Sequence, residues 1–103
     1  MMIARTWHGA VPDAKADAYE TYLQLTGIAD YETTPGNRGV YVLRHSAGGV
    51  TDFLLITFWD SYESIRAFAG DDPERARYYP EDTEYLLELE PSVTHYEVAY
   101  HSR

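Results

Sequence analysis

The stretch DFLLITFWDSYESIRAFAGDD, residues 52–72, decides the fold of this chain. Its first half reads as a strand, in which successive side chains point to opposite faces. Both faces are apolar: one carries Phe53, Leu55, Thr57 and Trp59, and the other carries Leu54, Ile56 and Phe58. A strand that is apolar on both faces has to be covered on both, so this pattern predicts a central strand of a sheet.

The second half of the stretch switches to helical spacing at Asp60. Asp60 and Glu63 have the spacing of a capping box, in which each side chain pairs with a free backbone N–H at the helix start. One helix face is then apolar, through Tyr62, Ile65, Phe68 and Ala69. Gly70 predicts the helix end, because glycine readily adopts the left-handed conformation found there.

The rest of the chain adds three strands and further helical segments. Pro12-Asp13 opens a helix that runs to about Thr26 and is stopped by Gly27, and Pro35-Gly36-Asn37 is a turn. The other predicted elements are strands over residues 3–11, 39–46 and 93–101, a helical turn from Asp72, and a short helix over residues 81–89. The order predicts an α+β, ferredoxin-like β-α-β-β-α-β domain spanning residues 1–103, with a four-stranded antiparallel sheet.

This topology places the helices on one face of the sheet only. The third strand nevertheless is apolar on both faces, so something must cover the second face. A second copy of the same sheet is the simplest cover, because most oligomers of soluble proteins are symmetric. The sequence therefore predicts a homodimer in which two sheets pack into one barrel.

Composition excludes several classes of partner. The 103 residues include 8 Lys and Arg against 17 Asp and Glu, a net charge of -9, which argues against nucleic acid and anionic membranes. The chain has no cysteine, which excludes disulfides and thiolate chemistry. No apolar run approaches the roughly 20 residues of a membrane-spanning helix. Residues 1–11 lack the features of a signal peptide, so we expect a cytoplasmic protein.

Two segments carry a family resemblance: MIARTWHGAVP, residues 2–12, and LLITFWDSYESIRAFAGDDPERARYYPED, residues 54–82. A strand ending in Trp-Asp-Ser, then an acidic helix start and an apolar helix, resembles the dimeric α/β-barrel superfamily, in particular its antibiotic-biosynthesis-monooxygenase-like branch. The resemblance covers nearly the whole chain. It implies the dimeric α/β barrel described above, with a pocket between the sheet and its helices in each subunit.

The resemblance leaves the chemistry open, because the superfamily includes cofactor-free oxygenases, haem-degrading enzymes, isomerases and proteins without known activity. Its haem-degrading members use an Asn in the first strand, a Trp in the second helix and a His about ten residues further on. An approximate alignment places Thr6, Phe68 and Tyr78 at those positions, and all three differ. We therefore expect no cofactor, although Tyr78 or Tyr79 could ligate iron.

His8 is the candidate catalytic base. We expect it on the same strand face as Thr6, near the mouth of the pocket. A neutral imidazole there could remove a phenolic or enolic proton, since its pKa lies close to neutral pH. The alternative is a partly exposed histidine that hydrogen-bonds to the backbone.

The candidate substrate-binding residues are mostly aromatic: Trp59, Phe68, Tyr78 and Tyr79, together with Thr6 and Arg75. The aromatic rings could hold a flat ligand, and Arg75 or Arg77 could bind a carboxylate or enolate oxygen. The alternatives are ordinary packing for the rings and a solvated salt-bridge cluster, which would include Asp82, for the arginines. His95, Glu97 and His101 share one strand face but spread over about 20 Å, so no metal site is expected.

These features predict a protein that binds a flat aromatic or enolic small molecule, as a cofactor-independent monooxygenase does. The alternative from another class is a non-enzymatic binding or stress-response dimer of the same fold. Haem binding is a third option.

Overall fold

The computed structural model describes residues 2–102, and it has the predicted order of strands. The sheet is four-stranded and antiparallel, in the order β2-β3-β1-β4. Its elements are β1 (Ile3–Pro12), a 3-10 turn (Asp13–Lys15), α1 (Ala16–Leu25), α2 (Gly27–Thr33), β2 (Asn37–Ala47), β3 (Val50–Trp59), α3 (Tyr62–Ala69), a second 3-10 turn (Pro80–Glu84) and β4 (Thr94–Glu97). The α+β, ferredoxin-like fold is therefore confirmed.

The register of the two central strands defines the faces of the sheet. Ile3 pairs with Trp59 and Trp7 pairs with Leu55, so the odd-numbered residues of β1 and β3 share the face that packs on the helices. This face forms the core together with Tyr19, Leu23, Tyr31, Ile65 and Phe68. The even-numbered residues of both strands point to the opposite face.

The start of α3 differs from the predicted capping box. Ser61 is the N-cap, and its side chain accepts a hydrogen bond from the Ser64 backbone N–H. Asp60 instead forms a two-bond ion pair with Arg38 of β2. Ser61 is itself a preferred N-cap residue, and Asp60 is engaged by Arg38 instead. Gly70 does end the helix, with a φ of 101°.

Four other element predictions need correction. Gly27 does not end the helical region: it is the first residue of α2, which was not predicted. The predicted helix over residues 81–89 shortens to the 3-10 turn Pro80–Glu84, and β4 has only four residues. The helical turn predicted from Asp72 is a non-helical turn, in which the Asp72 side chain accepts from the Glu74 backbone N–H. None of the helices in residues 2–102 is long and apolar enough to cross a membrane.

The second face of the sheet stays uncovered in a single chain. Leu54, Ile56 and Phe58 of β3 are only half-buried there. Their neighbours are more exposed: Tyr41 at 64%, Leu43 at 45% and Tyr96 at 58%. We call this surface, made of Tyr41, Leu43, Leu54, Ile56, Phe58 and Tyr96, the open face.

Candidate functional site

A small cavity lies between the sheet and the helices, where the resemblance predicted a pocket. Its volume is about 20 Å³, enough for about one water molecule. The floor is formed by Trp7 of β1 and Leu55 of β3, which are paired neighbours in the sheet. The remaining walls are Tyr19, Leu23, Gly27, Tyr31, Phe68, Arg77, Tyr79 and Asp82.

Asp82 supplies a buried carboxylate at one end of this cavity. It is 4% exposed, and its side chain accepts hydrogen bonds from the Tyr19 hydroxyl at 3.2 Å and the Tyr79 backbone N–H at 2.6 Å. None of the ion pairs among residues 2–102 includes it. Burial therefore raises the pKa of Asp82, and the two hydrogen bonds only partly oppose that rise. The prediction that Asp82 belongs to a solvated salt-bridge cluster is wrong.

Arg5 supplies a buried cation further along β1. It is 1% exposed, its Nη2 donates to the Arg75 carbonyl at 3.0 Å, and its guanidinium lies 5.6 Å from the centre of the Phe68 ring. Its Nε has no hydrogen-bond partner among the residues that the structure describes, and no described carboxylate is within ion-pair distance. Burial lowers the pKa of Arg5, and Tyr31 is the group that opposes this shift.

Trp7 lies between Arg5 and the acidic end of the cavity, and its position depends on a glycine. A Cβ at Gly9 would lie 2.4 Å from the Trp7 ring, so only glycine lets the indole fold over the strand at this point. The buried indole N–H of Trp7 has no hydrogen-bond partner within residues 2–102. Trp7 packs edge-on against Tyr78, and its indole N–H partly opposes the rise in the pKa of Tyr78 that burial causes, so this N–H lies beside the Tyr78 hydroxyl.

One side of the cavity is formed by contacts between α2 and the segment before the second 3-10 turn. Arg77 forms an ion pair with Asp30 at 3.2 Å, and the Tyr79 hydroxyl donates to the same carboxylate. The Arg77 guanidinium also lies 4.9 Å from the centres of both the Phe68 and the Tyr79 rings. Burial, followed by the hydrogen bond to Asp30, raises the pKa of Tyr79.

Two of the predicted binding residues line the cavity, Phe68 and Tyr79. Trp59 lies behind them: it is fully buried, packs against Tyr31 and Phe68, and donates its indole N–H to Thr57 at 2.8 Å. Trp59 thus supports the Phe68 wall without forming part of the cavity surface.

His8 and Thr6 lie on the opposite face of the sheet. The Thr6 hydroxyl donates to the Thr94 carbonyl. His8 lies between two carboxylates, with Nδ1 2.6 Å from Glu90 and Nε2 2.9 Å from Asp52. Desolvation lowers the pKa of His8, but the hydrogen bonds to Asp52 and Glu90 outweigh it, and the pKa is raised. The catalytic role of His8 stays a prediction, for a site that the cavity does not reach.

Tyr78 and Arg75 also lie outside the cavity surface. Tyr78 packs edge-on against Trp7, and its hydroxyl donates to the Glu90 carbonyl. The Arg75 side chain is exposed, whereas its backbone carbonyl accepts from Arg5. Among residues 2–102, no group of histidine and acidic side chains is arranged to hold a metal ion.

Sequence reasoning gave no site role to four residues that line the cavity, Trp7, Tyr19, Tyr31 and Asp82, or to the buried Arg5, which does not line it. One pattern in the sequence could have identified Arg5 and Trp7. Arg5 and Trp7 alternate with Ile3 on the first strand, so they share the face of an apolar residue, and a charged residue on a core face is unusual.

Comparison with known proteins supports the fold. No protein-family model matches the chain, and a search of curated proteins found no match. A provisionally assigned antibiotic biosynthesis monooxygenase from Nitrosomonas europaea has a TM-score of 0.70 at 16% identity, over 96% of this chain and 91% of that one. The haem-degrading protein of Mycobacterium tuberculosis gives 0.66 at 19% identity, over 100% of both chains. A second provisionally assigned antibiotic biosynthesis monooxygenase, from Bacillus cereus, gives 0.64 at 14% identity, over 98% of both.

These likenesses cover nearly whole chains, so the fold is that of the antibiotic-biosynthesis-monooxygenase-like proteins, as the resemblance predicted. Sequence identities of 14–19% establish a similar fold but do not establish a similar activity.

Proposed function

We propose that this protein binds a flat aromatic or enolic small molecule between its sheet and helices, as a cofactor-independent monooxygenase does. The observation that carries the proposal is the buried Asp82, which has no cationic partner among the described residues and faces a cavity walled by aromatic rings. A buried carboxylate with a raised pKa is a common feature of sites that move protons.

In this proposal Asp82 is the general base. The phenolic or enolic hydroxyl of the ligand gives its proton to Asp82, and a ring carbon of the resulting anion attacks dioxygen. The hydroperoxide that forms then loses water and leaves a carbonyl at that carbon. The raised pKa makes Asp82 a stronger base than an ordinary aspartate, and the surrounding tyrosine and phenylalanine rings exclude bulk water.

Binding requires the cavity to widen, because it has room for about one water molecule. The contacts between α2 and the opposite segment that would have to break are the ion pair of Arg77 with Asp30 and the hydrogen bond from Tyr79 to Asp30. Both converge on one exposed carboxylate, and exposed ion pairs of this kind contribute little stability, about 0–1 kcal/mol. Movement of residues 77–79 away from α2 would enlarge the cavity, and it would also break the hydrogen bond from Arg77 to the Phe68 carbonyl at 2.8 Å.

Haem does not fit this site. The Mycobacterium tuberculosis protein has been solved with two haems in its active site. Here, Thr6 faces away from the cavity, Phe68 packs on Arg5 and Tyr31, and the Tyr78 hydroxyl is bonded to the Glu90 carbonyl. The positions that the alignment gives for haem contacts thus offer no free iron ligand on the cavity side.

We also propose that the protein is a cytoplasmic homodimer, and the open face supports the homodimer. Six large apolar side chains lie together on one sheet face that no element among residues 2–102 covers. Replacing Ile56 with arginine should convert the dimer to a monomer in analytical ultracentrifugation. Leu25→Arg is the matched control, because Leu25 is exposed on α1, away from this face. A wild-type protein that sediments as a monomer would contradict the dimer.

The enzymatic proposal is tested by oxygen uptake with hydroxynaphthalenes and quinols. Asp82→Asn should abolish turnover while Glu81→Gln, a neighbouring exposed carboxylate, should leave it unchanged. His8→Ala tests the base predicted from the sequence. If His8→Ala loses turnover and Asp82→Asn keeps full activity, the active site lies on the other face of the sheet, around His8.

The small volume of the cavity favours one alternative, a non-enzymatic dimer whose aromatic residues serve packing. Absence of oxygen uptake with every compound, together with no binding by calorimetry, would establish that alternative.

A further inference from the structure

We propose that the contact between His8 and Glu90 is a pH-sensitive latch on the cavity. While His8 is protonated, this contact holds the segment around Glu90 in place and limits the movement of residues 77–79. The inference rests on the proposed function, because that movement is the one that lets a ligand into the cavity. The latch weakens when His8 loses a proton, so access to the cavity should increase with pH.

His8 contacts a carboxylate with each of its two ring nitrogens. Nδ1 lies 2.6 Å from Glu90 and Nε2 lies 2.9 Å from Asp52. Only the protonated ring has a hydrogen on both nitrogens, so it alone can donate to both carboxylates at once. A neutral ring donates to one of them, and that bond is no longer charge-assisted. Loss of the proton therefore either breaks the bond to Glu90 or weakens it.

The titratable groups that face His8 belong to three elements of the described chain. Asp52 lies on β3, Glu90 lies in the segment before β4, and the exposed His45 of β2 is the cross-strand partner of Asp52. Desolvation lowers the pKa of His8, but the hydrogen bonds to both carboxylates outweigh it, so the pKa lies above its ordinary value of about 6.5. The latch is therefore closed below about pH 6.5 and weakens as the pH rises through the folded-state pKa.

Glu90 connects the two faces of the sheet. Its side chain contacts His8 on the side of the open face, and its backbone carbonyl accepts a hydrogen bond from the Tyr78 hydroxyl on the side of the helices. Tyr78 packs edge-on against Trp7, which lines the cavity. Tyr78 is also the middle residue of the stretch 77–79, whose two other members line the cavity. The position of Glu90 thus controls how firmly residues 77–79 are held.

The stretch over residues 88–90 has few other anchors. Within residues 2–102, the hydrogen bonds that reach it are the two made by Glu90, with His8 and with Tyr78. The backbone on either side is held by hydrogen bonds of its own. Loss of the bond to His8 therefore leaves the Tyr78 hydroxyl as the remaining described partner, and Tyr78 becomes free to move together with Glu90.

The pH dependence of the two tryptophan indole signals tests the latch. In a ¹⁵N–¹H correlation spectrum of the full-length protein, Trp7 reports on the cavity floor, and Trp7→Phe assigns its signal. Trp59 donates to Thr57 and serves as the internal control. The ring signals of His8, assigned with His8→Gln, report its protonation in the same samples. Acrylamide quenching of tryptophan fluorescence measures access to the cavity.

We expect the Trp7 signal to shift with the same midpoint as the His8 ring, above about pH 6.5, while the Trp59 signal stays in place. Acrylamide quenching should increase over the same pH range. His8→Gln should abolish the shift and the increase in quenching. His45→Gln is the control for the neighbouring histidine and should leave both unchanged.

Asp52→Asn and Glu90→Gln form a matched pair, because each removes one of the two carboxylates that contact His8. Both should lower the pKa of His8, since each removes a hydrogen bond to the protonated ring. Asp52→Asn should keep the Trp7 shift at a lower midpoint. Glu90→Gln should lose the Trp7 shift although His8 still titrates. This pair keeps the test valid if His8→Gln does not fold.

Four results would overturn the latch. They are a Trp7 signal that does not change while His8 titrates, a Trp7 shift that persists in Glu90→Gln, loss of the shift in His45→Gln, and a His8 ring that keeps one protonation state from about pH 5.5 to about pH 9. None of them touches the proposed function, which depends on Asp82 and is tested by oxygen uptake at a single pH. Loss of turnover in Asp82→Asn together with an unresponsive Trp7 would keep the function and remove the latch.

Discussion

Replacing Tyr19 with phenylalanine removes one hydroxyl from the acidic end of the cavity and keeps the ring. That hydroxyl is fully buried and donates to Asp82 at 3.2 Å. A hydrogen bond to an ionised group is worth about 1.5–3 kcal/mol, and one between neutral groups about 0.5–1.5 kcal/mol. The variant should therefore lose about 2 kcal/mol of stability at neutral pH, which lowers Tm by roughly 10 °C in a domain of this size.

The loss should depend on pH. Burial raises the pKa of Asp82, and removal of the Tyr19 hydroxyl, which favours the carboxylate, should raise it further. The pKa of Asp82 is therefore higher in the folded protein than in the unfolded chain, where it is about 3.9. The contribution of Asp82 to stability is then largest below about pH 3.9 and is lost as the pH rises through the folded-state pKa. The variant's deficit should therefore grow from about 1 kcal/mol near pH 4 to about 2 kcal/mol near pH 7.

Urea denaturation followed by circular dichroism measures this deficit at both pH values. A double-mutant cycle of Tyr19→Phe with Asp82→Asn measures the interaction energy between the two side chains, which we expect to be about 1–2 kcal/mol. Tyr22→Phe is the control: its hydroxyl accepts from the Glu81 backbone N–H, so its loss should not depend on Asp82. A deficit for Tyr19→Phe that is the same at both pH values, with no coupling, would refute the assignment of Asp82 as a buried, ionisable carboxylate.

Three further predictions follow from local geometry. Ser61→Ala removes the observed cap of α3 and should cost about 1 kcal/mol by chemical denaturation, more than Asp60→Ala, which only breaks an exposed ion pair. Gly9→Ala should cost about 1–3 kcal/mol and change the fluorescence of Trp7, because the new Cβ would overlap its ring. The raised pKa of His8 stabilises the fold below about pH 6.5, and this contribution is lost as pH rises through the folded value. The wild type's advantage over His8→Gln should therefore shrink in urea titrations as the pH rises above about 6.5.

The order of the strands could be predicted because it depends on short-range patterns. Alternation in residues 53–59, the turn at Gly36 and the glycine pair before Val50 each act over a few residues. The helix α2 was missed because it is only seven residues long and begins with a glycine, a residue that ordinarily ends helices. Its two buried residues, Gly27 and Tyr31, contact the cavity, and tertiary packing rather than local preference holds them in a helix.

The site could not be predicted because the sequence shows which residues share a strand face but not which face meets the helices. In β1 the two sets are Ile3, Arg5 and Trp7 against Ala4, Thr6 and His8. Charged residues are rarely buried, so the presence of Arg5 argues against placing Ile3, Arg5 and Trp7 on the face that meets the helices. The burial of Asp82 is equally non-local, since it depends on Tyr19, which is 63 residues away in the chain.

The buried charge of Asp82 supports the proposed binding function, because packing alone gives no reason for it. A buried ion without a partner costs several kcal/mol, and apolar replacements of buried ionic groups are often neutral or stabilising. Stability alone therefore does not account for Asp82, which is buried in the cavity wall and has no cationic partner among the described residues. A ligand hydroxyl that donates to this carboxylate would offset part of the cost of burying it, as the proposed function requires.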